Sequence, residues 1–153
     1  LRAILDGWTL STIVSVHSGE PFTVTSGRDN NLDGNNNDRA NLVGDPQLPD
    51  RPRSEAIQQW FNTAAFVPNA IGQDGNSGRN ILDGPGYKNV DIALFRDFTL
   101  KNSLRLQFRA EATNAFNLVN LSNPNSNLNS SAVGTIRTSD PMRQVQLGLR
   151  LWF

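Results

Sequence analysis

Polar and apolar residues alternate with period two in four stretches of this chain and lose all period between them. The clearest stretch is 143–153, Arg-Gln-Val-Gln-Leu-Gly-Leu-Arg-Leu-Trp-Phe. Val145, Leu147, Leu149, Leu151 and Phe153 share one parity; Gln144, Gln146, Gly148, Arg150 and Trp152 share the other. Successive side chains of a strand point to opposite faces, so the pattern predicts a strand with one apolar and one mostly polar face. A strand of roughly ten residues is long enough to cross a bilayer at a tilt. An edge strand of a soluble sandwich carries the same alternation, so this stretch alone leaves both readings open.

Residues 7–16 alternate in the same way. Trp8, Leu10, Thr12, Val14 and Val16 oppose Thr9, Ser11, Ile13, Ser15 and His17, with only Ile13 spoiling the polar face. After Ser18-Gly19-Glu20-Pro21 the parity resumes with Phe22 and Val24. A strand over about 7–24 is expected, bulged or bent where Pro21 cannot donate to a ladder. In 89–100, Val90, Ile92, Leu94 and Phe98 oppose Asp91, Ala93, Phe95 and Asp97, and Arg96 interrupts the apolar side. In 104–116, Leu104, Leu106, Phe108, Ala110, Ala112 and Phe116 oppose Arg105, Gln107, Arg109, Glu111, Thr113 and, just beyond, Asn117, with Asn114 the exception.

The connections change the balance. Lys101-Asn102-Ser103 reads as a tight turn, whereas 25–88 and 117–142 are long, aperiodic and rich in Asn, Gly, Asp, Ser and Pro. Within the first, residues 54–61 hint at a short helical turn capped by Ser54 and carrying Ile57, Trp60 and Phe61. Structureless loops of such length are uncommon in a compact soluble domain. Membrane barrels, in contrast, combine short periplasmic turns with long external loops. If the last strand ends on the periplasmic side, both long loops are external and the tight turn is periplasmic. Trp8, Phe98 and Phe153 then lie at the periplasmic rim, and Phe22 and Phe116 at the outer one. Arg96 falls near the periplasmic end, where a long cation can reach water. Lipid meets the odd positions of the last strand and the even positions of the other three. The lumen meets Arg105, Gln107, Arg109, Glu111, Gln144, Gln146 and Arg150. The expected fold is all-β: four antiparallel strands of a transmembrane barrel, with external loops 25–88 and 117–142. Four strands cannot close a barrel, and lipid tolerates no open edge, so a larger chain is expected.

Composition adds mainly exclusions. The 153 residues carry no net charge, so no basic stripe points to nucleic acid. Cysteine is absent, which removes disulfides and thiol chemistry. The chain has nineteen Asn, gathered between the periodic stretches, as turn-forming residues are. No run of eighteen apolar residues exists, which excludes a membrane helix and leaves a barrel open. The chain begins at Leu1 without a signal-peptide pattern, which gives the expectation of a fragment.

Several stretches then carry a family resemblance, in order along essentially the whole chain. They are Ser18-Gly-Glu-Pro-Phe-Thr-Val, Asn37-Asp-Arg-Ala-Asn-Leu-Val-Gly-Asp-Pro, Trp60-Phe-Asn-Thr-Ala-Ala-Phe and Gly78-Arg-Asn-Ile-Leu-Asp-Gly-Pro-Gly. Further on come Asn89-Val-Asp-Ile-Ala-Leu-Phe-Arg-Asp-Phe, Leu106-Gln-Phe-Arg-Ala-Glu-Ala-Thr-Asn-Ala-Phe-Asn, Val133-Gly-Thr-Ile and the terminal strand. Together they resemble the C-terminal part of TonB-dependent outer-membrane receptors, especially the Oar-like proteins with a carboxypeptidase-regulatory-like domain. Thr113 departs from the bulkier apolar residue expected of relatives there. The resemblance implies a barrel of about 22 strands plugged by an N-terminal domain. It implies uptake of a scarce nutrient across the bacterial outer membrane, driven through TonB. It makes outer-membrane lipid a partner and implies that TonB acts through a part outside these residues. It also implies that Phe153 is the signal read by the barrel-assembly machinery. A fragment without the plug is expected not to transport alone. Trp60 and Arg79, on the first external loop, are the candidate ligand contacts.

The remaining chemistry is sparse. Asp29, Asn31 and Asp33, followed by Gly34, have the oxygen spacing of a calcium loop, but Ala40 stands where the bidentate Glu belongs. Calcium is a candidate there, with an Asn/Gly turn as the simpler reading. Residues 72–79 lack the Lys-Ser/Thr ending of a phosphate cradle. His17 is the only histidine, too little for a transition-metal site or a triad. Asp91 and Asp97 lie about 20 Å apart along a strand, too far for paired carboxylate catalysis. No enzyme is expected. The alternatives to a receptor are a passive porin-like barrel and a soluble calcium-dependent β-rich binding module.

Overall fold

The computed structural model describes residues 6–101 and 104–153. In chain order come β1 (Trp8–His17), β2 (Pro21–Phe22), β3 (Asn41–Leu42), the one-turn helix α1 (Arg53–Ala56) and a 3-10 turn at Thr63–Ala65. They are followed by β4 (Phe66–Val67), β5 (Leu82–Asp83), β6 (Tyr87–Lys101), β7 (Leu104–Thr113) and β8 (Gln144–Trp152). These elements divide into two compact units. One holds the described residues through His17, with 87–120 and 140–153; the other holds 18–86 and 121–139.

The first unit is an antiparallel sheet in the order β1-β6-β7-β8. Its register aligns the alternations. Thr12, Ile92, Ala112 and Val145 form one cross-strand row, and Leu10, Leu94, Ala110 and Leu147 form the next. Trp8, Arg96, Phe108 and Leu149 form a third. On the other face Ser11, Ala93, Glu111 and Gln146 share a row, as do Thr9, Phe95, Arg109 and Gly148. Such cross-strand neighbours are the unit of sheet stabilisation. The tight turn expected at 101–103 falls on Asn102 and Ser103, which lie outside the described residues.

Two strand ends differ from the sequence pattern. The expected strand to residue 116 stops at Thr113, because Asn114 and Asn117 take left-handed backbone (φ 48° and 55°), which Asn tolerates better than most residues. The Asn114 backbone N–H donates to Asp91 (2.9 Å), and its side chain both donates to and accepts from the Leu118 backbone (2.8 Å each way). Phe116 therefore sits exposed on a turn. The expected strand over 7–24 ends at His17. Phe22, expected at the outer rim, is buried with Val24 in the core of the second unit. The Gly-Glu-Pro step redirects the chain because Gly19 lies against another backbone. A Cβ there would stand 1.7 Å from the Gly84 carbonyl oxygen, and Gly84 N–H donates to the Glu20 carbonyl (2.9 Å).

The aperiodic stretches are not structureless. Residues 18–86 and 121–139 fold together around Phe22, Val24, Ala40, Phe61, Ala65, Phe66 and Leu82. Two short antiparallel pairs, β2–β5 and β3–β4, sit among turns. Trp60 N–H donates to Gly134 (2.7 Å) and Ile136 N–H to Ile57 (2.8 Å), which ties the two segments together. Helix α1 spans only Arg53–Ala56, with Pro52 rather than Ser54 at its N-cap, so Trp60 and Phe61 lie beyond it. Asn side chains supply much of what a ladder would. Leu42 N–H donates to Asn76 Oδ1 (2.7 Å), Asn76 N–H to Asn41 Oδ1 (2.9 Å), and Asn62 Nδ2 to the Asp45 carbonyl (2.9 Å). Irregular backbone can be buried only where its polar groups are paired.

Candidate functional site

The sheet presents two chemically different faces. On the apolar one, Leu10, Val14, Val145, Leu147 and Leu149 are each more than 60% exposed. Large aliphatic residues aligned in rows and left uncovered form a surface suited to an apolar surrounding. Arg96, expected to reach toward water, is instead 8% exposed. Its guanidinium carbon lies 4.5 Å from the Phe98 ring centroid and 5.6 Å from that of Trp8. Trp8 in turn meets Phe98 and Phe108 edge-on (6.5 and 5.9 Å). The ring faces stabilise the cation within an otherwise apolar surface. Opposite, Arg109 pairs with Glu111 at 2.6 Å, Gln107 donates to Asp97 (2.9 Å), and Arg150 lies over Trp152 (4.8 Å). Asp91 accepts from Asn89 (2.8 Å). His17 stacks on Tyr87 at the strand ends (4.8 Å between centroids).

Two features stand out in the second unit. Leu48, Trp60, Phe61, Ile81 and Leu82 line an open cavity of about 370 Å³, together with Asp50, Arg51 and Asp83. The Trp60 indole N–H donates to the Asp83 carbonyl (2.8 Å), and Arg51 donates to the Gln59 carbonyl. The other feature is the acidic turn at 29–38. Carboxylate oxygens of Asp29, Asp33 and Asp38 lie within 4.8 Å of one another. Asp29 accepts from the N–H groups of Asp33 (3.0 Å) and Gly34 (2.9 Å), and Asp33 accepts from Asn35 N–H (2.8 Å). Asp38 accepts from Asn30 N–H and Asn31 N–H (2.8 Å each) and from Asn69 Nδ2 (2.9 Å). These donors hold the Asp38 carboxyl below its ordinary value, the Asn69 amide most of all, with burial working the other way. An all-oxygen set would suit a hard cation over a transition metal. As it stands, backbone donors already engage these oxygens.

The family model for the outer membrane beta barrel domain matches residues 1–146. The chain belongs to this family. No curated protein and no solved structure matched it. Membership of the outer membrane β-barrel family points to the bacterial outer membrane. No described helix of this barrel domain is long and apolar enough to cross a membrane, which says nothing of its strands.

Arg105, Gln107, Arg109, Glu111, Gln144, Gln146 and Arg150 share one face of the barrel-domain sheet, aligned by Gln107↔Arg150 and Glu111↔Gln146. Phe153 lies one residue beyond β8 and is 99% exposed. Trp60 lines the cavity, whereas Arg79 is exposed and lines none of it. Asp29 and Asp33 come together with Asp38. Asn31 accepts from Asp33 N–H (3.1 Å), and its amide donates to Asp74 (2.9 Å). Asp38, Asp50 and Asp83 carry no signal in the period of the sequence; their neighbours are set by packing between distant segments.

Proposed function

We propose that this chain forms part of the wall and outer loops of a TonB-dependent receptor that takes up a scarce nutrient. The observation that carries the reading is the sheet. One face is apolar and uncovered in aligned rows, and the other is lined by Arg, Gln and Glu. Such a sheet divides lipid from an aqueous lumen. Support for a receptor over a passive pore comes from the connections. A pore needs only a constriction, yet here 18–86 and 121–139 build a unit with its own core and an open cavity. The stretches that resemble TonB-dependent receptors also run through this unit and not only through the strands. On this reading the outer loops capture ligand, and a plug carried elsewhere in a longer protein moves when TonB pulls. The role is transport rather than catalysis.

The test uses the complete reading frame, purified in detergent. A receptor binds the purified C-terminal domain of TonB and stays electrically closed in a planar bilayer. A porin ignores TonB and opens ohmic channels, and that pair of results would sink the receptor reading.

A further inference from the structure

We propose that the cavity beside Trp60 binds an organic cation, an alkyl-guanidinium or alkyl-ammonium group whose stem lies on the apolar lining. The proposal rests on the reading of the loop unit as a capture surface and names the chemical class captured. The cavity, about 370 Å³, falls in the range that takes small ligands. Leu48, Phe61, Ile81 and Leu82 supply its apolar lining. The Trp60 indole is partly exposed and is fixed by its hydrogen bond to the Asp83 carbonyl (2.8 Å). An indole held in place offers its negative face to a cation without ordering cost.

The charges decide the sign. Asp50 and Asp83 line the cavity and are exposed, and no hydrogen bond or ion pair engages either carboxylate among the described residues. The lining cation, Arg51, already donates to the Gln59 carbonyl. Two carboxylates against one guanidinium, itself turned onto a carbonyl, leave the lining net negative. An anion would be disfavoured, and a neutral ligand could hydrogen-bond to the carboxylates but would leave their charge unmatched. A cation with an alkyl stem uses every part of the lining: carboxylates for charge, indole for the cation face, Leu48 and Ile81 for the stem.

Two sources supply this chemistry, a basic side chain in a peptide and a free polyamine. The experiment is calorimetric titration of the complete protein in detergent micelles, after heat-modifiable gel mobility shows that the barrel is folded. The probes are N-acetyl-arginine amide, its neutral citrulline counterpart, and spermidine. The arginine probe is expected to bind at least about tenfold more tightly than the citrulline one. The double variant Asp50→Asn, Asp83→Asn should lose about the same factor, and added salt should weaken binding. Trp60→Phe keeps a ring in the core-facing position and should weaken binding by less than the double variant. Tighter binding of the arginine probe assigns a peptide source, and tighter binding of spermidine assigns a free amine. Equal binding of the arginine and citrulline probes, an unaffected double variant, or no saturable binding by folded protein would each overturn the proposal. The receptor reading fails on a different result, open channels in the bilayer.

Discussion

Three donors converge on one oxygen of Asp38, a residue only 5% exposed. Its folded carboxyl is held low, chiefly by the Asn69 amide. The charged form is thus favoured in the fold. Its stabilisation is complete above the ordinary aspartate value of about 4 and is lost as pH falls through the lower folded value. Acid should therefore loosen the turn at 29–38 before it affects the sheet. Asp38→Asn should weaken the loop unit at neutral pH and flatten its acid dependence. Proteolysis rates measured from neutral to strongly acidic pH check both, and a variant with the wild-type profile would refute the role. Gly19 makes a steric case at the same scale. With a backbone oxygen 1.7 Å from the position of its missing Cβ, Gly19→Ala has no flexible neighbour to displace. It should cost at least the upper part of the about 1–3 kcal/mol typical of overpacking, read as a drop in the loop unit's melting midpoint. Gly19 was legible in sequence as a bend, but the close backbone approach behind it was not, because Gly84 lies far along the chain.

At the scale of elements, the long strands were legible because alternation is a local signal. Even at 12, 92 and 112 with odd at 145 describes a real cross-strand row. The loop unit was not legible. Phe22, Val24, Phe61, Phe66 and Leu82 share no period, and Asn side chains pair much of the backbone between them. An Asn-rich stretch reads as open loop until its partners are known. Phe61 should be the test of this core. It is 1% exposed and meets Phe22 and Phe66 at 5.6 and 5.7 Å between ring centroids. Phe61→Ala should cost about 3–5 kcal/mol and open 18–86 to protease while the sheet keeps its folded gel mobility. Phe116→Ala, at an exposed turn, should change stability by less than about 0.5 kcal/mol. If the two variants behaved alike, the loop unit would have no core of the kind described.

For the whole molecule the question is which solvent each face of the sheet meets. Leu147 and Gln146 are sequence neighbours near the middle of β8, one on the apolar face and one on the polar face. Everything but orientation is nearly shared between them, so they separate facing from position. In lipid vesicles, Leu147→Arg should cost about 2–4 kcal/mol of folding free energy, as a cation at the bilayer midplane does. Gln146→Arg, in the polar row with Glu111, should be close to neutral. The same pair reports directly when tryptophan replaces arginine. Leu147→Trp emission should be quenched by brominated acyl chains, and Gln146→Trp emission should not. A soluble sandwich would protect the Leu147 position from lipid quencher and leave it buried by protein. A barrel requires the reverse: it would turn to lipid the rows in which Leu10, Val145, Leu147 and Leu149 are each more than 60% exposed.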